Sequence, residues 1–161
     1  MLDARAYDRE LRPLLAQSGA YARSLLRNRA DAEDAVQQAA LRTWERIGQY
    51  DRRRPFKGWW FAILRNCCFD ILRRRSASPA HGLESVDAPD QTEIDFVDWD
   101  GLEAGLGRIS PDHEQILRLK YYGGLSYDEL AEAIGIPKGT VMSRLHLARK
   151  ALAALMRKET A

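Results

Sequence analysis

Between Lys138 and Arg149 this 161-residue chain sets Lys138, Thr140, Ser143, Arg144, His146 and Arg149 at intervals of one to three residues. Hydroxyls, an imidazole and guanidinium groups at such intervals can bond base edges. The interleaved cations can bond phosphates. Leu147 falls among them and can touch a thymine methyl. Lys138–Thr140 would open a helix, where free backbone N–H groups meet a phosphate.

These side chains need a helix that hides its other face. Val141, Leu145, Ala148, Leu152 and Leu155 recur at steps of four and three and make one apolar stripe. Projected at about 100° per residue, the opposite face carries Gly139, Thr140, Ser143, His146, Leu147 and Lys150, flanked by Arg144 and Arg149. A first, shorter helix is predicted just before it. Ser126 and Glu129 have capping-box spacing, and Ala131 is small where two helices must cross. Gly135-Ile136-Pro137 makes the turn, and Pro137 suits the first turn of the next helix. The layout is a helix-turn-helix, whose second helix usually enters the DNA major groove.

The formal net charge of +2 conceals an uneven distribution. Residues 1–75 hold 16 Lys/Arg against 9 Asp/Glu, and residues 106–161 hold 9 against 6. Residues 76–105 hold 8 Asp/Glu and no Lys or Arg. Two basic blocks joined by an acidic strip suit two modules that grip a polyanion while the connector avoids it. The two cysteines, Cys67 and Cys68, are adjacent in apolar surroundings and read as buried thiols of a reducing compartment. His81, His113 and His146 are scattered without partners at ligand spacing, so neither metal nor other cofactor is expected. No phosphate-binding glycine loop and no acid/base pair suggests an enzyme. There is no apolar run of membrane-spanning length and no signal-peptide pattern, which makes a soluble, cytoplasmic protein the expectation.

The remaining elements read as helix throughout. Apolar spacing predicts helices over Ala4–Leu15 and Ala20–Arg27, interrupted around Ser18-Gly19. Asp31 is expected to cap a helix through Val36, Ala40, Leu41 and Trp44, with Asp34 as its box-like partner. Gly48–Pro55 breaks the pattern. Phe56–Arg75 is apolar on most sides and must lie at the centre of its module. Ser76–Gln91 reads as a flexible linker. Ser110-Pro111 opens another helix ahead of the helix-turn-helix. Expected boundaries are 1–75 for the first module, 76–103 for the acidic connector and 104–161 for the second.

Three segments in order, D-A-E-D-A-V-Q-Q-A-A-L-R-T-W (31–44), P-F-K-G-W-W-F-A-I-L-R-N-C-C-F-D-I-L-R-R-R (55–75) and the helix-turn-helix, resemble the extracytoplasmic-function sigma factors of bacterial RNA polymerase. The resemblance spans nearly the whole chain except the connector. It implies an all-α fold of two small helical modules, sigma region 2 and sigma region 4. It also implies a promoter-specificity factor that binds core polymerase at its clamp coiled coil and flap, reads the −35 element as duplex and the −10 element as melted strand. An anti-sigma protein is the further partner implied.

Residue by residue, the resemblance places core-polymerase docking on Asp31, Asp34, Gln37, Gln38, Leu41, Arg42 and Trp44. Gln38 stands where the family usually has glutamate, and Ala40 where a bulky aromatic is usual. The −10 strand falls to Arg52, Arg53, Arg54, Lys57, Arg65, Asn66, Arg73 and Arg74. Cations can follow the phosphates of a single strand, and an asparagine can both donate to and accept from a base edge. Trp59, Trp60 and Phe61 read mainly as core. The −35 duplex falls to Lys138, Thr140, Ser143, Arg144, His146, Leu147 and Arg149, and many relatives carry arginine where this chain has Leu147. Two other readings compete. A stand-alone helix-turn-helix regulator would leave Pro55–Arg75 unexplained, and a decoy that binds only anti-sigma protein would not need Asn66, Arg144 and Arg149.

Overall fold

The computed structural model describes residues 2–77 and 99–160, and every regular element among them is helical. The first half holds α1 (Ala4–Leu11), α2 (Leu15–Leu26), α3 (Arg29–Glu45) and α4 (Phe56–Ser76). The second holds α5 (Trp99–Leu106), α6 (Pro111–Tyr121), α7 (Tyr127–Ile134) and α8 (Lys138–Thr160).

Helix α4 is central, as its composition predicts. Trp60, Phe61, Leu64, Cys67 and Cys68 are fully buried against α2 and α3. The indole N–H this brings inside is satisfied, because Trp60 Nε1 donates to Ser18 Oγ at 2.8 Å. Tyr21 meets Phe61 edge to face at 5.6 Å between ring centroids. Where α3 crosses α2 and α4 its buried positions are Ala32, Ala35, Ala39 and Thr43, small side chains that let the axes approach. The larger Leu41 and Trp44 are left outside.

Several local expectations need correction. Asn28, not Asp31, caps α3, accepting from the Asp31 N–H at 3.0 Å. Asp31 therefore sits inside the first turn. The N-terminal helix breaks at Arg12–Leu14, a single 3-10 turn containing Pro13, and runs unbroken through Ser18-Gly19. Pro13 removes a ladder donor, whereas Gly19 costs a helix only about 1 kcal/mol. Helix α5 runs across the expected boundary at residue 103 and takes in the last residues of the expected connector. It packs Leu102 and Leu106 beneath α8. The rest of that expected connector, 78–98, lies outside the described residues.

In the second half the capping box is complete in both directions. Glu129 N donates to Ser126 Oγ at 3.2 Å and Ser126 N to Glu129 Oε1 at 2.8 Å. Gly135, at φ +77°, ends α7 in the left-handed region, and its N–H and that of Ile136 both bond the Ala131 carbonyl. The turn so formed aims α8 across α7 and α6.

Candidate nucleic-acid interface

Helix α8 sorts its side chains as the projection requires. Val141, Leu145 and Ala148 are fully buried, while Gly139, Thr140, Ser143, His146, Leu147 and Lys150 are exposed. Ser143 Oγ donates back to the Gly139 and Thr140 carbonyls. Lys138 reaches Asp128 at 3.3 Å. Arg144 is half-buried at the edge of the face. Arg149 is held more firmly. Its Nε donates to the Tyr121 hydroxyl at 2.9 Å and the guanidinium lies 5.9 Å from that ring centroid. Met142, 53% exposed like Leu147, stands on the flank of the same helix and escaped the sequence reading.

The faces of α4 and the loop before it separate the second set. Arg52 and Asn66 are exposed. Arg53 is also exposed but folds back on Asp51, whose carboxyl its guanidinium holds below the usual carboxylate range. Arg54 lies 3.5 Å from Glu132. Lys57 Nζ donates to Gln17 Oε1 at 2.8 Å and to the Gly124 carbonyl at 2.9 Å. Arg65 donates to the Ala133 carbonyl at 3.2 Å and lies over Phe69. Oriented to satisfy both groups, the Gln115 amide oxygen also accepts from Arg65. Arg73 pairs with Asp70, and Arg74 is exposed. Arg75 turns inward to bond the Leu26 carbonyl and Asp31 at 2.6 Å each, stapling the α2–α3 corner.

On α3, Leu41 is 63% and Trp44 43% exposed, and Asp34 and Gln37 are exposed beside them. Gln38 donates to Asp34 at 2.9 Å, so the glutamine keeps this carboxylate company without adding charge. Arg42 binds Asp70 at 3.1 Å. Asp31 is drawn into the Arg75 staple and is only partly accessible. Above Ala40, Tyr7 supplies the aromatic bulk. Its hydroxyl bonds the Ala40 carbonyl at 2.8 Å, and its ring meets Trp44 at 5.3 Å. Tyr7, Asp70, Tyr121 and Gln115 each act through partners at least 28 residues away. No local pattern in the chain could single them out.

Burial raises the thiol pKa of both Cys67 and Cys68, which keeps them protonated and inert. Among the described residues, no three His, Cys, Asp or Glu side chains gather as a metal ion would need. Within the same residues no helix is long and apolar enough to cross a membrane.

An apolar stripe that seats one helix, a polar and basic face turned outward and a capped short helix before it define a DNA-binding protein of the helix-turn-helix class. Residues 9–78 match the family model for sigma-70 region 2, and residues 100–152 match that for sigma-70 region 4. The chain is 37% identical over 142 residues to the extracytoplasmic-function RNA polymerase sigma factor SigL of Mycobacterium tuberculosis, covering 82% of this chain and 78% of that protein. It is 30% identical to the sigma factor EcfG of Rhodopseudomonas palustris, covering 85% and 77% respectively. Among solved structures it resembles the sigma factor RpoE of Bartonella quintana, crystallised with the anti-sigma factor NepR. The TM-score is 0.71 at 28% identity, over 96% of this chain and 98% of that one. The chain belongs to the extracytoplasmic-function sigma factors of the sigma-70 family, the initiation factors that direct RNA polymerase to promoters.

Proposed function

We propose that this sigma factor divides its work among three surfaces. The exposed Leu41–Trp44 patch on α3, with Asp34 and Gln37 beside it, docks on core polymerase. Asn66 and the cations around α4 take the unpaired −10 strand, and the outward face of α8 reads the −35 duplex. Residues 1–75 and 104–161 are the units that do this, with α5 extending the second toward Trp99. Strand opening draws its energy from binding unpaired bases, so the factor acts by binding and not by catalysis. An anti-sigma protein holds it in reserve in the cytoplasm, as the likeness to a sigma factor crystallised with one suggests.

The observation that carries this reading is the sorting of α8, whose buried stripe leaves Thr140, Ser143, His146 and Leu147 on an open face. The test is to add the protein to core polymerase and map the transcripts that appear. New start sites sharing a motif pair upstream would establish it. Absence of any association with core polymerase, at any salt concentration, would reject it.

A further inference from the structure

Five large apolar side chains are exposed among the described residues, and four of them lie on the helices assigned above to polymerase and to the −35 duplex. Leu41 and Trp44 form the α3 patch. Met142 and Leu147, each 53% exposed, stand on the outward arc of α8. Neither is needed to seat that helix, because Val141, Leu145 and Ala148 are fully buried and do so. Five residues apart, Met142 and Leu147 do not touch each other, since only residues three or four apart meet on a helix surface. At roughly 100° per residue they stand about 140° apart around the axis. Ser143, His146 and Lys150 fall between them, all exposed. One large apolar group thus stands toward each margin of the arc, with polar and basic groups in the middle.

This arrangement limits what can cover the two side chains. An apolar protein surface needs them joined in one patch, and a hydroxyl, an imidazole and an ammonium group split them. Phosphates gain nothing from either, because neither can donate a hydrogen bond. The cations around them, Lys138, Arg144, Arg149 and Lys150, nevertheless demand a polyanion. The apolar group that a duplex presents in its major groove is the C5-methyl of thymine. It projects beside the thymine's own sugar–phosphate wall, while O4 lies nearer the middle of the pair. A helix in the groove therefore meets methyls of one strand along one margin and those of the other strand along the opposite margin. Both side chains lie within the first ten residues of α8. The N-terminal part of a recognition helix is the part that reaches base edges.

We propose that Met142 and Leu147 each cover the methyl group of a thymine, the two thymines lying on opposite strands of the −35 duplex. The inference rests on reading α8 as the −35 helix, and adds the chemical class of sequence that helix takes. Contact between the methyl and an aliphatic side chain removes apolar surface of both from water. Cytosine has no methyl at that edge and carries an amino donor where thymine has an acceptor. Neither side chain can satisfy that donor, so both positions select against cytosine.

The experiment uses the full chain bound to core polymerase, and a promoter found by transcript mapping. Each thymine of the −35 segment is replaced in turn by deoxyuridine, which keeps every hydrogen-bonding group and removes only the methyl. Binding of the unmutated holoenzyme should weaken about fourfold at one thymine on each strand, the worth of one buried methyl-sized group. Met142→Ala should make thymine and deoxyuridine equivalent at one of the two positions and leave the other penalty intact. Leu147→Ala should do the reverse. Both side chains are exposed and alanine is the best helix former, so neither variant should lower the melting temperature. The proposal is overturned if the −35 segment has thymine on only one strand, if no deoxyuridine weakens binding, if both sensitive thymines lie on one strand, or if either variant leaves both penalties as they were. Failure of the functional reading would look different: the unmutated holoenzyme would leave the −35 segment unprotected in a footprint, whichever base it carries.

Discussion

Arg42 Nη1 lies 3.1 Å from Asp70 Oδ2, joining the exposed edge of α3 to the far end of α4. The pair holds the surface assigned to polymerase docking at a fixed angle to the helix assigned to the −10 strand. Asp70 also pairs with Arg73, and the Arg42 hydrogen bond, ahead of the charge of Arg73, holds its carboxyl below the usual range.

That lowered pKa gives the first prediction. A carboxyl depressed in the folded state contributes stability above its unfolded pKa of about 3.9 and loses it as the pH falls through the folded value. Asp70→Asn should therefore lower stability near neutral pH by about 0.5–1 kcal/mol, a figure reduced because the pair is partly solvated. Urea denaturation at several pH values checks this. The gap between variant and unmutated protein should be constant from neutral pH to about pH 5 and close below the unfolded pKa.

Arg118 gives a larger effect for the opposite reason. Its side chain is only 7% exposed, contacts Glu114 at 3.0 Å and Glu103 at 3.5 Å, and donates to the Ser24 carbonyl. Removing a nearly buried cation leaves two carboxylates without it. Arg118→Met should cost about 2–4 kcal/mol, whereas Arg118→Lys, which keeps the charge but loses the fork, should lose less. Thermal denaturation followed by circular dichroism separates the two. Equal loss in both variants would mean that geometry, not charge, is what matters there.

The helical fold and the helix-turn-helix were legible in the sequence because they rest on local signals. The Ser126–Glu129 box, Gly135 and the stripe Val141–Leu145–Ala148 each act within a turn or two of chain. Positions of the site residues along their helices were equally legible. What they touch was not. Arg65 against Ala133, Lys57 against Gly124 and Arg149 against Tyr121 join distant parts of the chain. The cap of α3 was misplaced for a related reason. Asn28 and Asp31 are both good cap residues three apart, and the Arg75 staple gave Asp31 another partner.

Asn66 separates strand binding from polymerase docking. It is exposed on α4, a different helix from the one that carries the Leu41–Trp44 patch, and lies outside the buried core. Asn66→Ala should weaken opening at the −10 element, read by permanganate reactivity of unpaired thymines, with co-elution on core polymerase unchanged. Parallel loss of both would remove Asn66 from the strand-binding surface.

Arg144 and Arg149 lie on opposite flanks of the α8 face and should behave differently. Arg144 is half-buried at the edge of the face, and a bidentate contact to a base there would be worth about 1–3 kcal/mol. Arg144→Ala should cost that much promoter affinity and leave the melting temperature nearly unchanged. Arg149 is already engaged, hydrogen-bonded to the Tyr121 hydroxyl and lying over its ring. Arg149→Ala should therefore lower the melting temperature as well as promoter affinity, because it releases α8 from α6. Footprinting at the −35 element alongside thermal denaturation distinguishes the two arginines. If Arg149→Ala weakens the footprint with no loss of stability, its contact to Tyr121 gives way to DNA in the bound state and it belongs with Arg144.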